Sequence, residues 1–88
     1  MKLGINQLML LQRAKKKGYV TLSDVAMVYA MPNPRNSYSA RKQMEKQLLI
    51  LQKMELRGLL QNVGNNRFVI TEKGERMLEK ITKGDEYV

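Results

Sequence analysis

The chain has 88 residues, of which 43% are apolar, and it contains no cysteine and no histidine. This composition suits one small folded domain and excludes disulfide bonds, thiolate metal sites and catalysis by histidine or cysteine. The net charge is +8, and residues 1–44 contain a single acid, Asp24. Such a field attracts polyanions, so nucleic acid is the first candidate partner and an anionic membrane surface the competitor.

The first half of the chain predicts two helices. Apolar residues three and four apart predict a helix over residues 3–17, which ends in three lysines and a glycine. Its apolar surface is wider than one stripe, which suggests burial on two sides. Residues 19–21 are predicted to be extended, and a short helix capped by Thr21 or Ser23 follows over residues 24–29. Two prolines place residues 31–36 in a loop.

The second half predicts a long helix, a hairpin and a final helix. Residues 37–57 lack proline and glycine, and Asn36, Ser37 or Ser39 can cap the helix that they form. Two β-prone runs around a Gly-Asn-Asn turn predict a hairpin over residues 59–71. A helix over residues 72–83 completes a domain of residues 1–84, and residues 85–88 are predicted to be a flexible tail. The fold class is therefore α+β and mostly α. The order of helix, short strand, helix, helix, hairpin and helix is typical of a winged helix-turn-helix.

Residues 48–81 resemble the recognition helix, wing and last helix of the MarR and PadR families of winged-helix regulators. Those families end the recognition helix in Leu-x-x-x-Gly-Leu/Ile, which Met54, Gly58 and Leu59 match here. They follow the wing with Thr-Glu-x-Gly, which Thr71–Gly74 match. In length the chain is closer to small single-domain winged-helix proteins of archaea and of archaeal viruses and plasmids. The resemblance implies a winged-helix regulator of transcription that binds double-stranded DNA.

The long helix has a predicted core face and a predicted DNA face. At about 100° per residue, Met44, Leu48 and Leu51 share the core face. The opposite face and its edges carry mostly hydroxyl, amide and ammonium groups: Ser39, Lys42, Lys46 and Lys53, with Tyr38, Gln43 and Leu49 at the edges. Such groups suit base edges and phosphates, although a solvated charged stripe is the alternative interpretation. Arg41 lies nearer the predicted core, where pairing with Glu45 and contact with DNA both remain open.

We predict that helix 37–57 docks in the major groove and that wing 59–71 lies beside the backbone or the minor groove. The candidate DNA-binding residues lie at the start of the long helix, in the loop before it or at the wing tip: Ser37, Tyr38, Ser39, Lys42, Gln43, Lys46, Arg35, Asn36, Arg67, Asn65 and Asn66. Arg67 either enters a minor groove or holds a phosphate, or it is an edge residue beside an ordinary turn. Tyr19 is predicted to belong to the core.

The sequence favours a regulator over an enzyme, because its glycines are isolated and its carboxylates show no paired spacing. No metal, cofactor, small-molecule ligand or membrane contact is predicted. A homodimer through helix 3–17 and helix 72–83 is expected. The start of the chain lacks the features of a secretory signal and no apolar run approaches a membrane span, so we expect a cytoplasmic protein, in the host cell if it is viral. The alternative function is a winged-helix module that binds protein, whose sign would be an exposed apolar recognition face.

Overall fold

The computed structural model describes residues 3–82. In chain order these residues form α1 (Ile5–Lys17), α2 (Leu22–Val28), α3 (Ser37–Leu56), β1 (Leu60–Asn62), β2 (Phe68–Ile70) and α4 (Glu72–Thr82). The α+β class, mostly helical with an antiparallel hairpin after the long helix, is confirmed. The predicted tail at 85–88 and the last residue of predicted helix 72–83 lie outside the described residues. Within residues 3–82, no helix is both long and apolar enough to cross a bilayer.

The two strands form an antiparallel pair in which Leu60 lies opposite Ile70 and Asn62 opposite Phe68. The short strand predicted at residues 19–21 is reduced to a single bridge. Val20 donates to the Phe68 carbonyl at 2.8 Å and accepts from the Phe68 amide at 2.9 Å. This bridge attaches the connection between α1 and α2 to the hairpin.

The core forms where α1, α3, α4 and the hairpin meet. Its side chains are all apolar and at most 9% exposed: Leu3, Leu10, Leu11, Ala14, Val20, Val25, Leu51, Met54, Leu59, Leu60, Phe68, Met77, Leu78 and Ile81. The apolar stripe of α4 packs against α1. The predicted face of α4 is thus already buried within the chain.

The core face of α3 differs from the prediction. Met44, predicted to be buried, is 52% exposed, whereas Gln47 is only 6% exposed. The amide nitrogen of Gln47 lies 3.6 Å from the sulfur of Met31 in the preceding loop, which gives this polar side chain a partner when it is buried. The buried face of α3 is consequently rotated by roughly 50° from the one that apolar spacing predicts, at 100° per residue. This rotation moves Arg41 away from the core.

The junction between the hairpin and α4 explains the Thr-Glu-x-Gly spacing in physical terms. The hydroxyl of Thr71 accepts a hydrogen bond from the Gly74 amide at 3.0 Å, as a helix-capping residue does, and donates to the Gly58 carbonyl. A Cβ at Gly74 would overlap the carbonyl oxygen of Leu59 and lie 2.8 Å from Cγ1 of Ile70. Glycine is therefore required there if α4 is to approach the hairpin this closely.

Candidate nucleic-acid interface

The start of α3 is fixed by Asn36, whose side-chain oxygen accepts from the Ser39 amide at 2.8 Å. This is the hydrogen bond of a helix N-cap, which satisfies one of the free amides of the first turn. Asn36 and Ser39, both predicted to contact DNA, therefore also shape the helix terminus. Ser37, Tyr38 and Arg35 are exposed around it.

One flank of α3 carries the lysines that the sequence singles out. The Lys42 ammonium lies 3.9 Å from a Glu45 carboxylate oxygen and 5.6 Å from the centre of the Tyr38 ring. Lys46 is exposed and forms no ion pair within residues 3–82. Gln43 is half-buried, and its amide donates to the Pro32 carbonyl, so this side chain holds the preceding loop against α3.

The other flank of α3 borders an open cleft of about 510 Å³. The cleft runs between α3, the first residue of α2 and the hairpin tip, and it is lined by Leu22, Ser37, Ala40, Arg41, Met44, Glu45, Leu48 and Asn66. Arg41 is exposed there, and within residues 3–82 it has no ion pair. The sequence left open a pairing of Arg41 with Glu45. The carboxylate of Glu45 instead lies nearer to Lys42.

The tip of the hairpin is a tight turn made by residues in the left-handed region. Gly64, Asn65 and Asn66 have φ values of 102°, 54° and 56°. The Arg67 amide donates to the Gly64 carbonyl at 3.0 Å across the two asparagines, and positive φ at both central residues is the requirement of a type I′ turn. Asparagine tolerates this conformation better than most residues. The turn positions Asn66 in the cleft with Ser37.

The Arg67 side chain at the hairpin tip packs over the ring of Tyr19. Its guanidinium carbon lies 4.8 Å from the centre of the Tyr19 ring, and the Lys17 ammonium lies 5.2 Å from the same ring. Tyr19 is half-buried rather than part of the core. The ring therefore holds two cations beside the hairpin tip by cation–π attraction.

Asp24 is the residue that the sequence analysis missed. Its side chain is 2% exposed and accepts from Arg13 at 3.0 Å, from Lys17 at 2.8 Å and from the Thr21 amide at 2.8 Å. Burial raises the pKa of this carboxyl, but the hydrogen bonds from Lys17, Thr21 and Arg13 outweigh it and hold the pKa below its ordinary value. A signal existed in the sequence, since Asp24 is the only acid in residues 1–44.

The predicted site residues thus separate into three places. Ser37 and Asn66 share the cleft with Arg41; Lys42 and Lys46 lie on the opposite flank of α3. Arg67 is held on Tyr19, and Asn65 is exposed at the turn. Among the described residues, no cluster of three carboxylate, histidine or cysteine side chains could hold a metal ion.

The chain gives no significant match to a protein-family model, to a curated protein or to a solved structure. The resemblance to the MarR and PadR regulators therefore stays a prediction. The geometry of α3, the cleft and the hairpin is therefore the basis for a proposed function.

Proposed function

We propose that the chain is a winged helix-turn-helix protein that binds double-stranded DNA and regulates transcription by occupying a promoter. In this proposal α2 and α3 form the helix-turn-helix, α3 docks in the major groove, and the hairpin is the wing. The order of the elements supports it, because a short helix, a long helix and an antiparallel hairpin follow one another in residues 22–70.

The observation that carries the proposal is the shared surface of α3 and the wing tip. The first half of α3 and Asn66 border one open cleft. Arg41 in the cleft, Arg35 before α3 and Lys46 on the opposite flank of α3 form no ion pair within residues 3–82. The exposed side of α3, with its unpaired cations and the polar hairpin tip beside it, offers both the donors that base edges need and the charges that phosphates need.

Dimerisation is part of the proposal, but the surface that supports it is narrower than the sequence predicts. Met77, Leu78 and Ile81 of α4 are each at most 9% exposed within one chain. On α1, Ile5 and Met9 remain 63% and 42% exposed, one helical turn apart. A dimer through α1 would read two half-sites about 10 base pairs apart. Sedimentation equilibrium tests this, since a strictly monomeric protein at micromolar concentration would refute the dimer.

A protein-binding module is the second candidate, and one observation favours it. Leu49, which the sequence places near the polar face of α3, is 50% exposed. Three further large side chains of α3 are also exposed: Tyr38 at 70%, Met44 at 52% and Leu56 at 87%. A contiguous apolar helix face is a common docking surface for a partner helix. We place this function second because unpaired cations interrupt that surface.

The test is the affinity for a mixed-sequence DNA duplex across a salt series. The wild type should bind with a negative slope of log affinity against log salt, near −0.9 per phosphate contact. The double variant Lys42→Ala/Lys46→Ala should bind more weakly and with a shallower slope. Lys73→Ala/Lys80→Ala is the control, because it removes the same number of charges from α4. The Lys73 side chain packs beside Gly58, at the end of α3 that is distant from Ser37.

Two results would contradict the proposal. Equal weakening by both double variants would mean that the duplex is attracted by overall charge and that α3 does not dock. Absence of binding by the wild type at low salt would remove DNA as the partner and favour the protein-binding module.

A further inference from the structure

We propose that Arg41 is the principal base-reading residue of α3 and that it selects a guanine in the target duplex. This inference rests on the proposed function and goes beyond it, because it names which residue determines specificity and for which base. The sequence predicts that Ser37, Tyr38, Ser39, Lys42, Gln43 and Lys46 meet the DNA, with the lysines as weaker base readers, and it leaves contact by Arg41 open. The structure places Arg41 on the flank of α3 opposite Lys42 and Lys46.

The first argument is the state of the neighbouring side chains. Gln43 already donates its amide to the Pro32 carbonyl, and Lys42 lies beside both Glu45 and the Tyr38 ring. Arg41 is exposed and has no ion pair within the described part of the chain. Of these three consecutive side chains, only Arg41 can engage a ligand without first giving up an interaction.

The second argument is position. Arg41 lies one helical turn after Ser37, the first residue of α3, and the first turns of a docked recognition helix are the part that meets base edges. The cleft that contains Arg41 is bounded on its other side by Asn66 at the wing tip. A duplex that contacts both α3 and the wing would therefore pass over Arg41.

The third argument is the chemistry of the cleft, which suits bases better than phosphates. Its walls are apolar at Leu22, Met44 and Leu48, and Glu45 stands at its edge. A carboxylate repels a phosphate, but it accepts a hydrogen bond from the amino group of cytosine. Guanidinium is the group that pairs with O6 and N7 of guanine through two parallel hydrogen bonds. Guanine is therefore the base that Arg41 fits, whereas Glu45, which lies 3.9 Å from the Lys42 ammonium, would have to leave that lysine to reach the paired cytosine.

The experiment is selection of duplexes from a random library by the wild type, Arg41→Lys and Lys46→Ala. The wild type should enrich sequences with an invariant guanine. Arg41→Lys keeps the charge and loses the bidentate geometry, so it should lose that preference and bind the wild-type sequence about 5- to 100-fold more weakly. Lys46→Ala, which removes a charge from the opposite flank of α3, should keep the guanine and bind all duplexes more weakly.

A modified base sharpens the test. Replacing the selected guanine by 7-deazaguanine removes the N7 acceptor, which should weaken binding by the wild type more than binding by Arg41→Lys, because an ammonium lacks the two parallel donors of the guanidinium. The inference is overturned if Arg41→Lys selects the same sequence with unchanged affinity, or if the modified base weakens both proteins equally. Failure of the proposed function looks different, because the wild type would then bind no duplex and enrich no sequence.

Discussion

Two regions of this small domain use the same cationic side chains in opposite ways. At the junction of α1 and α2, Arg13 and Lys17 both donate to Asp24, which is almost completely buried. At the cleft between α3 and the wing, Arg41 has no acidic partner within residues 3–82. In the first arrangement a buried carboxylate balances one of two cations and fixes two helices together. The second arrangement leaves the charge of Arg41 available to a ligand.

Net charge alone therefore does not locate a binding surface. The 16 lysines and arginines include Arg13 and Lys17, and the buried carboxylate of Asp24 balances one of these two charges. What matters is whether each cation has an acid within reach, since a paired ion contributes little to steering a polyanion. The account therefore predicts stability effects at the junction and binding effects at the cleft.

The largest expected effect on stability is that of Asp24→Asn. The amide cannot accept as strongly as the carboxylate from Arg13, Lys17 and Thr21, and hydrogen bonds to charged groups each contribute about 1.5–3 kcal/mol. Because the two cations are partly exposed and can be hydrated, we expect a loss of about 2–3 kcal/mol in the free energy of unfolding. Urea denaturation measures it, and an unchanged midpoint would show that the junction does not depend on this charge.

The same carboxylate should make the protein sensitive to acid. The pKa of Asp24 is lowered in the folded state, so its contribution to stability is present above the unfolded value of about 3.9 and is lost as pH falls through the folded pKa. The difference in unfolding free energy between wild type and Asp24→Asn should shrink below about pH 4. A constant difference between neutral pH and pH 2 would contradict the lowered pKa.

A smaller effect is expected where Tyr19 lies beside the hairpin tip. Tyr19→Leu keeps an apolar side chain and removes the ring that lies beside Arg67 and Lys17. Exposed cation–π contacts contribute about 0.5–1 kcal/mol each, so we expect a loss of about 1 kcal/mol in unfolding free energy. Amide hydrogen exchange should also be faster at Arg67 and Phe68, and unchanged exchange there would mean that the ring does not hold the wing.

The smallest effect is expected for Arg41→Ala and Lys46→Ala. Both side chains are exposed and lack an acidic partner in the described structure, so each variant should unfold within about 0.5 kcal/mol of the wild type. Thermal denaturation tests this. A loss comparable with that of Asp24→Asn would show that the cleft cations are structural and would remove the contrast between the two regions.

The sequence predicted the elements well because local signals mark their ends. Gly18 ends α1 in the left-handed conformation, Asn36 caps α3, and positive φ at Gly58 follows it. These features depend on neighbouring residues, and such local chemistry can be read from the chain without a tertiary structure.

The site was predicted less well because its arrangement depends on contacts between distant residues. The buried face of α3 includes Gln47, which contacts Met31, and not Met44. Apolar spacing alone therefore predicted the wrong buried face. Asp24 of α2 pairs with Arg13 of α1. Arg67 contacts Tyr19, which is distant from it in the sequence. No local pattern encodes these pairs.

The central claim is that α3 and the wing tip form the DNA surface and that the Asp24 junction does not. It is tested most directly by titrating isotope-labelled protein with a DNA duplex and following every backbone amide by NMR. The account predicts that the largest shifts fall in residues 37–46 and at the Gly64–Arg67 turn, with small shifts at Arg13 and Asp24. Shifts concentrated in α1 and α4, or none at saturating duplex, would contradict it.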